Sequence, residues 1–165
     1  MIQRIQTVYL MLIVALGILL YFAPVIELTT PADAATQRMY EIGADGIDEI
    51  TPGIDTSLMG EPLELDGLWG LSLTTLLISL LALIDIFLYK KRLFQARFNL
   101  FLAFLCLGYY GILFMYVWFA KMNFSMDWHI TFWTCIPLIC FVLTMGAIRR
   151  ILKDEALVRA ADRIR

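Results

Sequence analysis

Long apolar runs separated by short polar segments dominate this chain. Four of these runs contain no charged residue, and they are 22, 18, 23 and 19 residues long: 5–26, 67–84, 98–120 and 130–148. About 20 helical residues cross the ~30 Å core of a bilayer, whereas the strands of a membrane barrel alternate apolar and polar positions, which these runs do not. The pattern predicts an all-α fold, a single membrane domain over 1–165 with four transmembrane helices at about 5–27, 67–89, 98–120 and 130–148.

Composition identifies lipid as the main solvent of the chain. Hydrophobic residues make up 61% of its 165 residues and charged residues 17%, against about 45–50% and 25% in soluble domains. A soluble domain of this size cannot bury so much apolar surface. The lipid bilayer is therefore the first predicted partner, and no nucleic-acid partner is predicted.

Positive charge is segregated to one side of the predicted spans. Eleven of the thirteen Lys and Arg residues precede span one, lie between spans two and three, or follow span four, leaving only Arg38 and Lys121 on the other side. The positive-inside rule then places both termini in the cytoplasm. The predicted cytoplasmic segments are the loop 90–97 and the tail 149–165, and the predicted outer loops are 28–66 and 121–129.

The first outer loop is strongly acidic, with nine carboxylates against Arg38 alone. Residues 38–42 have strand character and Asp45-Gly46 is a turn dipeptide, so a small hairpin is predicted. The carboxylates do not keep the register of an EF-hand calcium loop. We therefore interpret them as a solvated surface, and no metal site is predicted. The second outer loop is too short for a domain.

Asp85 is the one ionisable carboxylate or base within the predicted spans that does not stand at the last residue of a span, as Glu27 does. It lies four residues before Tyr89, with Lys90, Lys91 and Arg92 just beyond. A carboxylate in that position can reach the interface or pair with these cations, which favours a structural role. The alternative is a role in transport, because intramembrane charges often mark ion pathways.

Small residues recur on two predicted spans and indicate where helices pack closely. In span two they follow a spacing of three, four and three, and in span three they are two glycines. Pro137 is expected to kink span four, because proline removes one helical hydrogen bond. The candidate packing residues are Ser72, Thr75, Ser79, Ala82, Gly108 and Gly111.

The sequence offers little that points to enzymatic chemistry. His129 is the only histidine, so a multi-histidine zinc site or a bis-histidine haem cannot be built within this chain. No nucleotide-binding, hydrolase or zinc-protease motif occurs. Cys106, Cys135 and Cys140 all fall inside predicted spans, and no disulfide framework is implied. We expect no catalytic residues and no cofactor.

The tail continues without Gly or Pro and is predicted to prolong the last helix. Glu155 and Arg159 form a favourable pair four residues apart. One face carries apolar residues flanked by arginines, a pattern that could dock a partner protein or lie on anionic headgroups. The candidate partner-binding residues are Leu157, Ala161, Ile164, Arg163 and Arg165.

The two ends of the chain, MIQRIQTVYL and KDEALVRAADRIR, carry a resemblance. They look like those of an uncharacterised family of small Bacteroidota inner-membrane proteins, a domain of unknown function with four predicted spans. The resemblance covers the whole chain and implies a cell-envelope location, which would make the outer loops periplasmic. It brings no activity, ligand or catalytic residue.

Two functional hypotheses follow. The first is a non-enzymatic accessory or assembly subunit of a larger inner-membrane complex, favoured by the patterned tail and the small-residue faces. Its partners would be other inner-membrane proteins. The second is a small transporter, or a lipid- or quinone-binding membrane protein, that uses Asp85 and the polar face of helix two.

Overall fold

The computed structural model describes residues 3–29, 39–49, 69–88, 92–124 and 127–164. These residues form four helices and four short strands, and a 3-10 turn over Phe132–Cys135 leads into the last helix. The helices are α1 (Gln3–Phe22), α2 (Trp69–Phe87), α3 (Arg92–Phe124) and α4 (Ile136–Ile164). The strands are β1 (Ile26–Thr29), β2 (Met39–Ile42), β3 (Ile47–Glu49) and β4 (Asp127–Ile130).

The four helices pack as a bundle in which α1 contacts α2 and α4, and α3 contacts the same two helices. The core between them is apolar and includes Leu10, Leu102 and Tyr109, each at most 1% exposed. The outward faces are equally apolar, as Phe104 and Met115 at 64% and 61% exposure show. So large an exposed apolar surface is unfavourable in water and favourable in hydrocarbon. Helices can lie in hydrocarbon because they satisfy their own backbone hydrogen bonds.

Three helical segments are long and apolar enough to cross a bilayer: Trp69–Phe87, Leu93–Met122 and Phe132–Val158. The first predicted span ends earlier than expected, because α1 ends at Phe22. Pro24 follows after Ala23, and proline disfavours helix at its own position and at the residue before it. The prediction of helix to residue 27 was therefore wrong.

Two other helix boundaries also differ from the prediction. Helix α3 begins at Arg92 and continues to Phe124, so much of the predicted loop 90–97 is helical. Pro137 lies in the first turn of α4, where the N–H that proline lacks has no partner within the helix. Proline there breaks no hydrogen bond inside α4, so the reason for expecting a kink does not apply. The predicted helical extension of the tail is confirmed as far as Ile164.

A four-stranded antiparallel sheet accompanies the helices, in the order β3-β2-β1-β4. The β2–β3 hairpin confirms the predicted hairpin, with Ile42 opposite Ile47. Strands β1 and β4 were not predicted, and β4 falls in what was expected to be a plain loop. Glu27 of β1 lies opposite His129 of β4, so this pairing joins the segment after α1 to the segment after α3. The fold is thus mainly helical but not all-α.

The sheet lies at one end of the bundle, which we call the sheet end. Helices α1 and α3 lead into β1 and β4 there, α4 follows β4, and α2 reaches the hairpin through a hydrogen bond from Ser72 Oγ to the Ala44 carbonyl. The opposite end, the far end, contains the α2–α3 connection. The far end also carries Arg97, Arg149 and Arg150, whose side chains are exposed.

Candidate functional site

The far end of the bundle contains a buried cluster of one carboxyl group and two amides. Asp85, in the last turn of α2, and Asn99, on α3, are both 0% exposed, and Gln95 is 3% exposed. Asn99 Nδ2 donates to Asp85 Oδ2 at 2.5 Å. Gln95 Nε2 donates to the Asp85 main-chain carbonyl at 3.1 Å. We call these three residues the carboxyl–amide cluster.

Chain connectivity explains why the cluster forms. The connection between α2 and α3 is only a few residues long, so the start of α3 must return along the end of α2. Gln95 and Asn99 are four residues apart and therefore share one face of α3. Asn99 Nδ2 also donates to the Gln95 carbonyl at 3.2 Å, which fixes the amide between the two helices.

Two oxygens in the cluster are buried without a hydrogen-bond partner among the described residues, namely Asp85 Oδ1 and Asn99 Oδ1. Both atoms are acceptors, so they cannot bond to each other without an added hydrogen or cation. Buried acceptors left unpaired cost about 1–3 kcal/mol each. The arrangement therefore favours capture of a donor or a positive charge between them.

The structure changes the interpretation of Asp85. The sequence predicted a carboxylate reaching the interface beside Lys90 and Lys91, but the side chain is wholly buried against amides of α3. The two lysines fall outside the described residues. Gln95 and Asn99 were missed, because the predicted loop and the next span divided them between two segments. Their four-residue spacing was the signal that could have revealed them.

The small-residue face of α2 lies inside the molecule. Thr75 and Ala82 are 0% exposed, and Thr75 Oγ1 donates to the Leu71 carbonyl at 2.9 Å. Ser79 lies so close to Gly17 of α1 that a Cβ atom at Gly17 would collide with Ser79 Oγ. Gly17, which sequence reasoning missed, is thus the residue that lets α1 and α2 approach.

Gly108 and Gly111 do not have the role predicted for them. Both are exposed on α3, and a Cβ atom at either position would meet nothing within 4 Å. No helix in the described part of the chain comes within 4 Å there, because α3 turns its other face, with Cys106 and Tyr109, into the core. The expectation of close packing within the chain was wrong at both glycines.

A second polar junction holds the sheet end together. Tyr110 Oη on α3 donates to the Thr134 carbonyl at 2.7 Å and accepts from the Leu138 N–H at 3.1 Å. Thr134 Oγ1 in turn donates to the Val25 carbonyl at 2.6 Å. One tyrosine and one threonine thereby tie the start of α4 to α3 and to the segment after α1. Sequence reasoning missed this junction.

The tail leaves the bundle partway along α4. Ile151 is 1% exposed, whereas Leu157 and Val158 are 55% and 43% exposed. The predicted docking residues Ala161, Arg163 and Ile164 belong to the same helix, but their side chains fall outside the described part of the chain, as does Arg165. Leu157 is therefore the one predicted docking residue whose surroundings are known.

Away from the carboxyl–amide cluster, the described residues form an apolar groove. Its volume is about 400 Å³, and it lies beside α1 at the sheet end. Within the described ranges, no three His, Cys, Asp or Glu side chains are close enough to hold a metal ion. The groove is lined by Ala15, Ile18, Leu19, Phe22, Ala23, Pro24 and Trp133.

The sequence profile of one family, described as a domain of unknown function (DUF4293), matches residues 2–164. The chain belongs to this family. A comparison with curated proteins finds no match. Membership of DUF4293 agrees with the resemblance seen at the two ends of the sequence and assigns no activity to any residue.

Proposed function

We propose that this DUF4293 protein is a non-enzymatic subunit of the bacterial inner membrane that helps to assemble or stabilise a larger membrane complex. The observation that carries the proposal is the projection of α4 beyond the bundle, with exposed apolar side chains on it. In this proposal all four helices cross the bilayer, both termini lie in the cytoplasm, and the sheet faces the periplasm.

The length of α4 supports a projecting arm. Its 29 residues extend about 43 Å, against about 30 Å for the bilayer core. An isolated helix of the tail's length would be marginal in water, but growth from an existing helix avoids the cost of nucleation. The arm is therefore ordered before any partner binds, which lowers the entropic cost of binding.

The surface of the arm fits a protein partner. Leu157 is 55% exposed, while Ile151, six residues earlier on the same helix, is only 1% exposed. Arg163 and Arg165 follow in the sequence and would add attraction to an acidic surface. A layer of anionic headgroups would offer similar chemistry, so the experiment must distinguish the two.

The test introduces aspartate on two different faces of the arm. Leu157→Asp, combined with Ile164→Asp, places charge on the proposed docking face. Leu152→Asp makes the same change at a residue that is 49% exposed but about 140° away around the helix. We expect proteins cross-linked to the arm in intact membranes, and then co-purified in mild detergent, to be lost with the first change and retained with the control.

Truncation after Leu152 should release the same partners and leave the helices inserted. If partners persist in both the truncated chain and the double variant, the arm is not a docking surface and the proposal fails. If cross-links form only to anionic lipid, the arm is a membrane-surface element instead.

A second candidate is a small transporter, favoured specifically by the complete burial of Asp85 with an unpaired oxygen. Ionisable groups inside membranes are costly and often functional. It ranks second because the apolar groove lies at the opposite end of the bundle from Asp85. Loss of uptake by Asp85→Asn, with normal protein levels in the membrane, would favour it.

A further inference from the structure

We propose that Asp85 and Asn99 form a binding site for a single proton, held between Asp85 Oδ1 and Asn99 Oδ1. The site goes beyond the proposed assembly role and does not depend on it. In this state Asp85 is a neutral carboxylic acid: its Oδ1–H donates to Asn99 Oδ1, and Asn99 Nδ2 donates to Asp85 Oδ2. The proton comes from a hydronium ion of the bulk solvent, which is left as water, so the carboxylate gains one hydrogen and loses its charge.

The hydrogen-bonding inventory of the cluster leads to this assignment. One of the two bonds of an acid–amide pair is present, from Asn99 Nδ2 to Asp85 Oδ2. The two atoms that would make the other bond, Asp85 Oδ1 and Asn99 Oδ1, are two of the four buried side-chain atoms that have no partner among the described residues. One hydrogen on the carboxyl group satisfies both atoms at once. An ionised carboxylate would leave both unsatisfied in an apolar surrounding, which is the costlier state.

A metal cation fits the cluster less well than a proton. Calcium takes six to eight oxygen ligands and magnesium needs six, whereas the cluster offers two unpaired side-chain oxygens. Within the described residues, no metal-ligating group of three acidic, His or Cys side chains exists. A proton needs only one donor bond and one acceptor, which the pair supplies.

The charged side chains described on the helices around the cluster are half-buried or exposed, and none of them is fully buried. On α1 and α4, the buried side chains towards the far end are apolar: Leu10 on α1, and Ala147 and Ile151 on α4. The titratable or charged side chains described near that end are Tyr9, Asp154 and Glu155, which are half-buried, and Arg97, Arg149, Arg150 and Lys153, which are exposed. Lys90 and Lys91, between α2 and α3, and Arg92, the first residue of α3, are close to Asp85 in the sequence. An ion pair with one of them would keep Asp85 charged and would compete with the proton.

Infrared spectroscopy can detect the proton directly. The full-length protein in lipid nanodiscs would be labelled with ¹³C-aspartate, and the carbonyl stretch of a protonated carboxyl group would be measured at neutral pH. We expect one such band, absent in Asp85→Asn and unchanged in Asp48→Asn, a control at an exposed residue of β3. In Asn99→Leu the band should move to higher frequency, because the hydrogen bond to Oδ2 is lost.

A stability comparison provides an independent test. Asp85→Asn preserves both hydrogen bonds of the proposed pair, since an amide can donate to Asn99 Oδ1 and accept from Asn99 Nδ2. We expect its melting temperature to match that of the wild type, and that of Asp85→Leu to fall. Two results would overturn the proposal: absence of the Asp85 band at neutral pH, or loss of stability in Asp85→Asn equal to that in Asp85→Leu. Either would indicate an ionised Asp85 held by a cation.

Discussion

The contact between Gly17 and Ser79 gives the sharpest prediction about helix packing. Gly17→Ala adds one methyl group at the closest approach of α1 to α2, where it would collide with Ser79 Oγ. Gly108→Ala adds the same group where nothing lies within 4 Å. Both changes gain about the same helix propensity, up to about 1 kcal/mol. The difference between them therefore measures the packing at Gly17 alone.

The structure bounds the size of that difference. Ser79 Oγ donates to the Thr75 carbonyl at 3.1 Å, so rotating it away from a new methyl group forfeits a bond with a net value of about 0.5–1.5 kcal/mol. If the hydroxyl stays, the helices must separate, and overpacking of this kind costs about 1–3 kcal/mol. We expect Gly17→Ala to lower the free energy of unfolding by about 1–3 kcal/mol relative to Gly108→Ala.

A double-mutant cycle identifies the partner. Ser79→Ala removes the colliding oxygen and leaves Ser79 Cβ 3.4 Å from the new methyl group, an ordinary contact. Gly17→Ala should then be tolerated, with a coupling of about 0.5–3 kcal/mol. Unfolding would be followed by loss of helicity during titration with sodium dodecyl sulfate in mixed micelles. Equal effects of Gly17→Ala and Gly108→Ala would refute the close approach of α1 to α2.

Two further predictions concern the sheet end. Tyr110→Phe should lower the free energy of unfolding by about 1–3 kcal/mol, because it leaves the Thr134 carbonyl unpaired. Tyr21→Phe, measured in the same titration, should change the free energy of unfolding little. Equal losses in the two variants would argue against the junction between Tyr110 and Thr134. Asp48→Cys, in a chain whose exposed Cys135 is replaced by Ser, should react in intact cells with a thiol reagent that enters only the periplasm. Labelling that requires an opened inner membrane would reverse the proposed orientation.

Sequence patterns predicted the helices well, because apolar runs of 18–23 residues leave few alternatives to membrane-length helices. They failed where an apolar run contains two kinds of structure. Residues 23–26 are as apolar as the helix before them, yet Pro24 ends α1 and Ile26 begins a strand. Strand β4 was missed because its pairing partner lies about 100 residues away in the sequence, beyond the reach of any local pattern.

The carboxyl–amide cluster was only half predictable. Asp85 was found because a carboxylate is conspicuous among apolar residues, but its burial depends on where α3 begins. That boundary was placed at residue 98 rather than at Arg92, which hid the common face of Gln95 and Asn99. Gly108 and Gly111 illustrate the opposite error. Small residues indicate that a close approach is possible, and only the rotation of α3 within the bundle decides whether one occurs.

The pairing of β1 with β4 also has a consequence for the order of biosynthesis. Val25 and Thr134, which the sheet-end junction joins, are separated by 109 positions. At about 5–20 residues per second, the ribosome needs about 5–20 s to make the chain between them. During that interval β1 has β2 on one edge and an open edge on the other, the state in which strands most readily pair with the wrong chain. Every newly made molecule therefore passes through a vulnerable period that ends only when β4 has been made and has paired with β1.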